Sequence, residues 1–169
     1  LVANHDPQFV VNISEDRIPV KDMGFQELNN LIVARAELNQ TEKLFSELLE
    51  LRKKLPLDLN QAKDTFLATI GMIEIRYGSI EEGCKLYDRA IEGFKKIKDK
   101  RSLSIAQMFY AEQIAHIDLN RANSLLKSAN QLAKKNGFHE IYTRIDAIEC
   151  NASNIEPVAP EANHSQNKR

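Results

Sequence analysis

The chain has 169 residues, enough for one domain with a core of its own. Hydrophobic residues make up 43% and charged residues 28%, and with only 6 glycines and 5 prolines the chain favours long helices over a turn-rich β fold. The 23 basic and 24 acidic residues leave a net charge of −1, so bulk charge gives no support to nucleic-acid binding, and no apolar run approaches the ~20 residues that span a bilayer.

Residues 1–21 stand apart from the rest of the chain. Phe9-Val10-Val11-Asn12-Ile13 and Arg17-Ile18-Pro19-Val20 are short and β-prone, and Pro19 argues against a central strand. Three readings fit this leader: an extended arm lying along the helices, the remnant of an upstream domain, or an irregular segment packed on the first helix after it. The chain starts without Met, and Leu1-Val2-Ala3 is too short for a signal-peptide core, so it reads as a fragment or processed product. Asn-x-Ser/Thr triplets begin at Asn12, Asn39, Asn151 and Asn163, but nothing else points to secretion, and the expected location is cytoplasmic.

Residues 22–150 are predicted to be helical throughout. In the first unit Asn39 suits the residue that ends a helix, Thr41 suits the next N-cap, and Pro56 stops the second helix. In the second unit Phe66, Leu67, Ile70, Ile73, Ile75 and Tyr77 follow a period near 3.6. Gly78 then suits a left-handed terminator, and Ser79-Ile80-Glu81-Glu82 has the form of a capping box. Ile80, Cys84, Tyr87, Ile91 and Phe94 share one face of the next helix. The third unit turns at Asp118-Leu119-Asn120, with Asn120 as N-cap, and ends at Gly137. Ile141, Ile145 and Ile148 predict a last amphipathic helix from His139 to Cys150 that covers the end of the array. Residues 151–169, with Pro157 and Pro160 and no apolar cluster, read as a disordered tail.

The units share a register of 39 residues. Leu28, Leu67 and Ala106 form one matched set. Leu31, Ile70 and Phe109 form another, and Leu48, Tyr87 and Leu126 a third. Leu44, Gly83 and Ala122 decline to small residues, as a close helix crossing requires.

No phosphate loop, dinucleotide fingerprint, zinc-protease motif or nucleophile elbow occurs. Cys84 and Cys150 form no metal-like unit, and His5, His116, His139 and His164 have no companion at ligand spacing. His116 follows Glu112 by four residues, which a solvated helix pair explains. Lys95, Lys96, Lys98, Lys100 and Arg101 read as a solvated linker. No catalytic, cofactor or metal residue is assigned, and the chain is not expected to be an enzyme.

The segment from Leu67 to Ala90 resembles a tetratricopeptide repeat, carried by Leu67, Ile70-Gly71, Gly78, Gly83, Tyr87 and Ala90. Phe109, Ala122, Leu126 and Ala129 match in the third unit, and Leu28, Leu31, Leu48 and Pro56 in the first. The resemblance covers Phe25 to Gly137. The family's usual period is about 34 residues; here it is longer, and Ile32, Leu44 and Tyr110 stand where small residues are usual. Long-helix repeats of this kind resemble modules of bacterial regulators and signalling proteins.

The resemblance implies an all-α solenoid of about three helix–turn–helix repeats with a capping helix. It also implies a concave groove, lined by the first helix of each repeat, for a peptide or helix of a partner protein. Carried over, the groove positions are Gln26, Asn29, Val33 and Glu37, then Thr65, Ala68, Met72 and Arg76, then Ser104, Gln107 and Ala111. The Lys/Asn/Arg set with which the family's chaperone-binding members clamp a terminal carboxylate is absent. The leading expectation is a protein–protein interaction scaffold. Two alternatives are the regulatory C-terminal domain of a larger enzyme, toxin or transcriptional regulator, and a homodimerisation module.

Overall fold

The computed structural model describes residues 6–56 and 60–153, with the backbone alone for 15–17 and 149–153. These residues form eight α-helices and one 3-10 turn: α1 (Pro7–Arg17), the turn Val20–Asp22, α2 (Phe25–Glu37), α3 (Leu44–Lys53), α4 (Asn60–Tyr77), α5 (Ile80–Lys96), α6 (Lys100–Ile114), α7 (Leu119–Asn136) and α8 (His139–Ser153). Consecutive helices pack as antiparallel pairs, α1 on α2, α2 on α3, α4 on α5 and α6 on α7, with α8 laid on α7. The even-numbered helices also touch in sequence, α2 to α4, α4 to α6 and α6 to α8, so they share one row. α8 continues past Cys150; the rest of the expected tail, with His5, His164 and the Cys150 side chain, lies outside the described residues.

The leader is helical rather than extended. Asp6 accepts the Gln8 amide at 2.9 Å and Pro7 occupies the first turn, two strong helix-start signals. Val11 is buried and α1 packs on α2, so burial overrides the strand preference of its β-branched residues. Most of the punctuation is as the sequence predicts. Asn39 takes φ +57° and Gly137 takes φ +73° at helix ends, and the Ser79 hydroxyl accepts the Glu82 amide at 3.3 Å.

Four local expectations are corrected. Gly78 is not left-handed; a side chain there would meet the Glu74 carboxylate, which accepts the Ser79 amide at 3.1 Å. Glu82 therefore does not close the capping box but pairs with Lys85 at 2.8 Å. The N-cap of α7 is Asp118 rather than Asn120, its carboxylate accepting the Arg121 amide at 3.0 Å. α3 begins after Lys43 with no side-chain cap, and Thr41 contributes only its carbonyl.

α4 and α5 cross closely at Gly71 and Gly83. A Cβ on Gly83 would lie 2.6 Å from the Gly71 carbonyl oxygen and 2.6 Å from Ile75 Cγ1. A Cβ on Gly71 would lie 3.0 Å from the Tyr87 ring. Tyr87 passes through this gap and stacks on Tyr110 of α6, centroids 4.6 Å apart and planes 2° from parallel. The Arg121 guanidinium covers the Tyr110 ring at 4.9 Å while pairing with Asp88 at 2.6 Å, which ties α5, α6 and α7 together.

Gly83→Ala gains about 1 kcal/mol of helix propensity but forces two backbones apart, an overpacking cost of roughly 1–3 kcal/mol. A net loss of stability is expected, read as a lower urea midpoint; an unchanged or raised midpoint would show that the crossing has slack.

Candidate functional site

The shared row of α2, α4 and α6 borders a cleft of about 310 Å³. Its floor is apolar: Val33 from α2, Ala68 and Met72 from α4, Ile105 and Phe109 from α6. Tyr87 and Phe94 reach it from α5. Its mouth is polar. Gln61 donates to Asp99 at 2.6 Å, and Asp99 in turn caps α6 through the Ser102 amide at 3.0 Å. Arg101 meets Glu140 of α8 at 2.8 Å, and Gln26 donates to Asn30 at 3.1 Å.

A half-buried ionic clasp adjoins the floor at Phe109. Arg144 of α8 lies over the Phe109 ring at 4.4 Å. Its Nη2 donates to Glu37 of α2 at 2.9 Å and to Glu112 of α6 at 3.2 Å. One guanidinium of α8 thus holds carboxylates from α2 and α6, the farther of them 107 residues away in the chain. Arg76 of α4 completes the junction, donating to Gln113 at 2.6 Å and to the Ala36 carbonyl at 2.8 Å. Burial raises the Glu112 pKa, opposed by Arg144 and reinforced by Glu37. Burial works against the Arg144 charge, yet Glu112 and Glu37 more than offset it and raise its pKa.

Of the groove positions taken from the sequence, Gln26, Val33, Thr65, Ala68 and Met72 line the cleft. Met72 is only 2% exposed, so it belongs to the core as much as to the cleft. Asn29 lies behind, wholly buried, accepting the Thr69 hydroxyl at 2.7 Å to join α2 to α4. Glu37 and Arg76 belong to the clasp and its junction.

The α6 positions fall elsewhere. Ser104 donates to the Ala129 carbonyl at 2.9 Å and Gln107 to Ser128 at 3.0 Å, both on the side facing α7, and Ala111 is buried. The cleft instead takes Ser102, Ile105, Ala106 and Phe109, each 37 residues after Thr65, Ala68, Thr69 and Met72. The reason is turn length. Residues 78–79 join α4 to α5, whereas residues 115–118 join α6 to α7. Ser79 and Asp118, the caps of α5 and α7, keep the 39-residue step, and the two extra turn residues shorten the step between α4 and α6.

Glu112 does not pair with His116, which lies beyond the end of α6; the carboxylate turns to Arg144 instead. The basic run at 95–101 is partly engaged, through Lys95 with Glu92, Lys100 with Asn136 and Arg101 with Glu140. Arg144 and its carboxylates carry no local sequence signal, because six helix-to-helix connections separate Glu37 from Arg144 and two separate Glu112 from it. Among the described residues no group of three His, Cys, Asp or Glu is placed to hold a metal, and no helix is long and apolar enough to cross a membrane. Comparison with family models, with curated proteins and with solved structures returns no match to this chain.

The raised Glu112 pKa has a defined sign. The fold favours its neutral form, so its contribution to stability is full below the ordinary value of 4.5 and is lost as pH rises through the raised one. Glu112→Gln mimics the neutral form at every pH. Thermal melts of both proteins from about pH 4 to about pH 7 are expected to show wild type losing ground to the variant as pH rises; a constant difference would remove Glu112 as a buried titrating group.

Proposed function

We propose that the chain is a tetratricopeptide-like helical module that binds an extended peptide or helix of a partner protein, and that it acts by binding rather than by catalysis. The observation that carries this reading is the cleft on the α2–α4–α6 row. Its volume of about 310 Å³ falls at the lower end of the range typical of ligand sites. The apolar floor suits one bulky aliphatic or aromatic side chain, and the amides and hydroxyls of Gln26, Gln61, Thr65 and Ser102 at the mouth suit a peptide backbone. Support for repeats comes from the three antiparallel pairs α2–α3, α4–α5 and α6–α7, whose first helices share the row.

Peptides selected from a random library against the full chain are expected to carry a bulky apolar anchor. Ala68→Trp, which fills the cleft from a half-buried position, is expected to weaken them by roughly 10-fold or more, and Thr65→Glu at the rim is expected to act in the same direction. Circular dichroism checks that both variants fold. Affinities untouched by either variant would place the binding site elsewhere, and a library that yields no binder would count against the reading as a whole.

A further inference from the structure

α3 uses only part of its surface for packing. Leu44 and Leu51 are buried, and Glu47 forms a buried pair with Arg35 at 2.9 Å. The helix rests on α2 and on the 3-10 turn. Its other side carries Phe45, 64% exposed, and Leu49, 62% exposed, one helical turn apart. Arg52 follows this pair on α3 and Glu42 precedes it in the turn that leads into the helix, both exposed. Among the described residues, neither side chain makes an ion pair or hydrogen bond.

We propose that this surface is a contact between two copies of the chain, with α3 antiparallel to α3 of the second copy about a two-fold axis at the level of Glu47. The surface is self-complementary in that arrangement alone. Phe45 and Leu49 lie two residues before and after Glu47, so each ring faces the other copy's leucine. Glu42, just before α3, and Arg52, in its last turn, lie five residues before and after it, so the antiparallel pairing brings each carboxylate to the end of the other helix that carries the guanidinium. A parallel pairing would set Glu42 against Glu42 and Arg52 against Arg52. An unrelated partner would have to supply the same sequence of charge and apolar groups that α3 and the turn before it already present, in reverse.

Two rings and two leucines form a small apolar nucleus, well below the ~800 Å² per partner of a stable interface. The association is therefore weak and concentration-dependent. No cleft residue comes from α3, so dimerisation leaves the cleft accessible and stands or falls independently of peptide binding.

The test is sedimentation equilibrium of the full chain from ~10 μM to ~1 mM, a span that covers weak association. A monomer–dimer equilibrium is expected. Leu49→Glu, at a mostly exposed position, is expected to abolish it while leaving circular dichroism unchanged. Glu42→Arg and Arg52→Glu alone each place like charges together twice and are expected to weaken the dimer about 10-fold or more. The double variant exchanges the charges and is expected to restore it. A chain that stays monomeric throughout overturns the proposal, as does a dimer indifferent to Leu49→Glu. Weakening by both single charge reversals without rescue in the double variant overturns the antiparallel register.

Discussion

The arrangement of the molecule depends on how closely α4 and α5 approach. With Gly71 and Gly83 facing each other, the two backbones come nearer than any side chain would permit. That approach leaves a channel for Tyr87, whose ring lies flat on Tyr110 and joins the second helical pair to the third. Tyr87 also supplies part of the cleft floor. A contact between two glycines therefore bears on both the joint between neighbouring pairs and the lining of the cleft, through Tyr87. Interiors packed at crystal density transmit such a constraint because side chains have little room to absorb it.

A second constraint acts beside the cleft. Arg144, Glu37 and Glu112 are between 13% and 22% exposed and come from three helices far apart in the chain. A cluster of this kind adds little net stability, because removing charges from water is costly. Its effect is directional. A guanidinium shared by two carboxylates and seated on the Phe109 ring admits few geometries, so it fixes how α8 sits against α2 and α6. The apolar floor and the amide-rich mouth divide the cavity into two regions of different chemistry.

How much of this was legible varied with the range of the interaction. Asn39, Ser79 and Gly137 announced their helix ends because caps act within a few residues. The small residue at Gly83 announced a close crossing, and the crossing is there. The leader misled because Val10, Val11 and Ile13 favour strands in isolation, while Asp6, Pro7 and the burial of Val11 decide the outcome together. Gly78 misled for a similar reason: its glycine is needed for the space that Glu74 occupies, not for a left-handed turn. Five of the seven cleft-lining residues on α2 and α4, namely Gln26, Val33, Thr65, Ala68 and Met72, are positions carried over from the repeat resemblance.

The sequence by itself determined the helical class, the antiparallel pairing of neighbouring helices and most of their boundaries. Those come from apolar period, capping chemistry and short turns, all of which are local. Only the tertiary structure decided which face of α6 meets the cleft. Two additional residues between α6 and α7 turn the matching positions by about 200°, at 100° per residue, so Ser104 and Gln107 face α7 and Ile105 and Phe109 face α4. It alone decided the clasp as well, since Glu37 and Arg144 meet only after every turn between them has added its rotation.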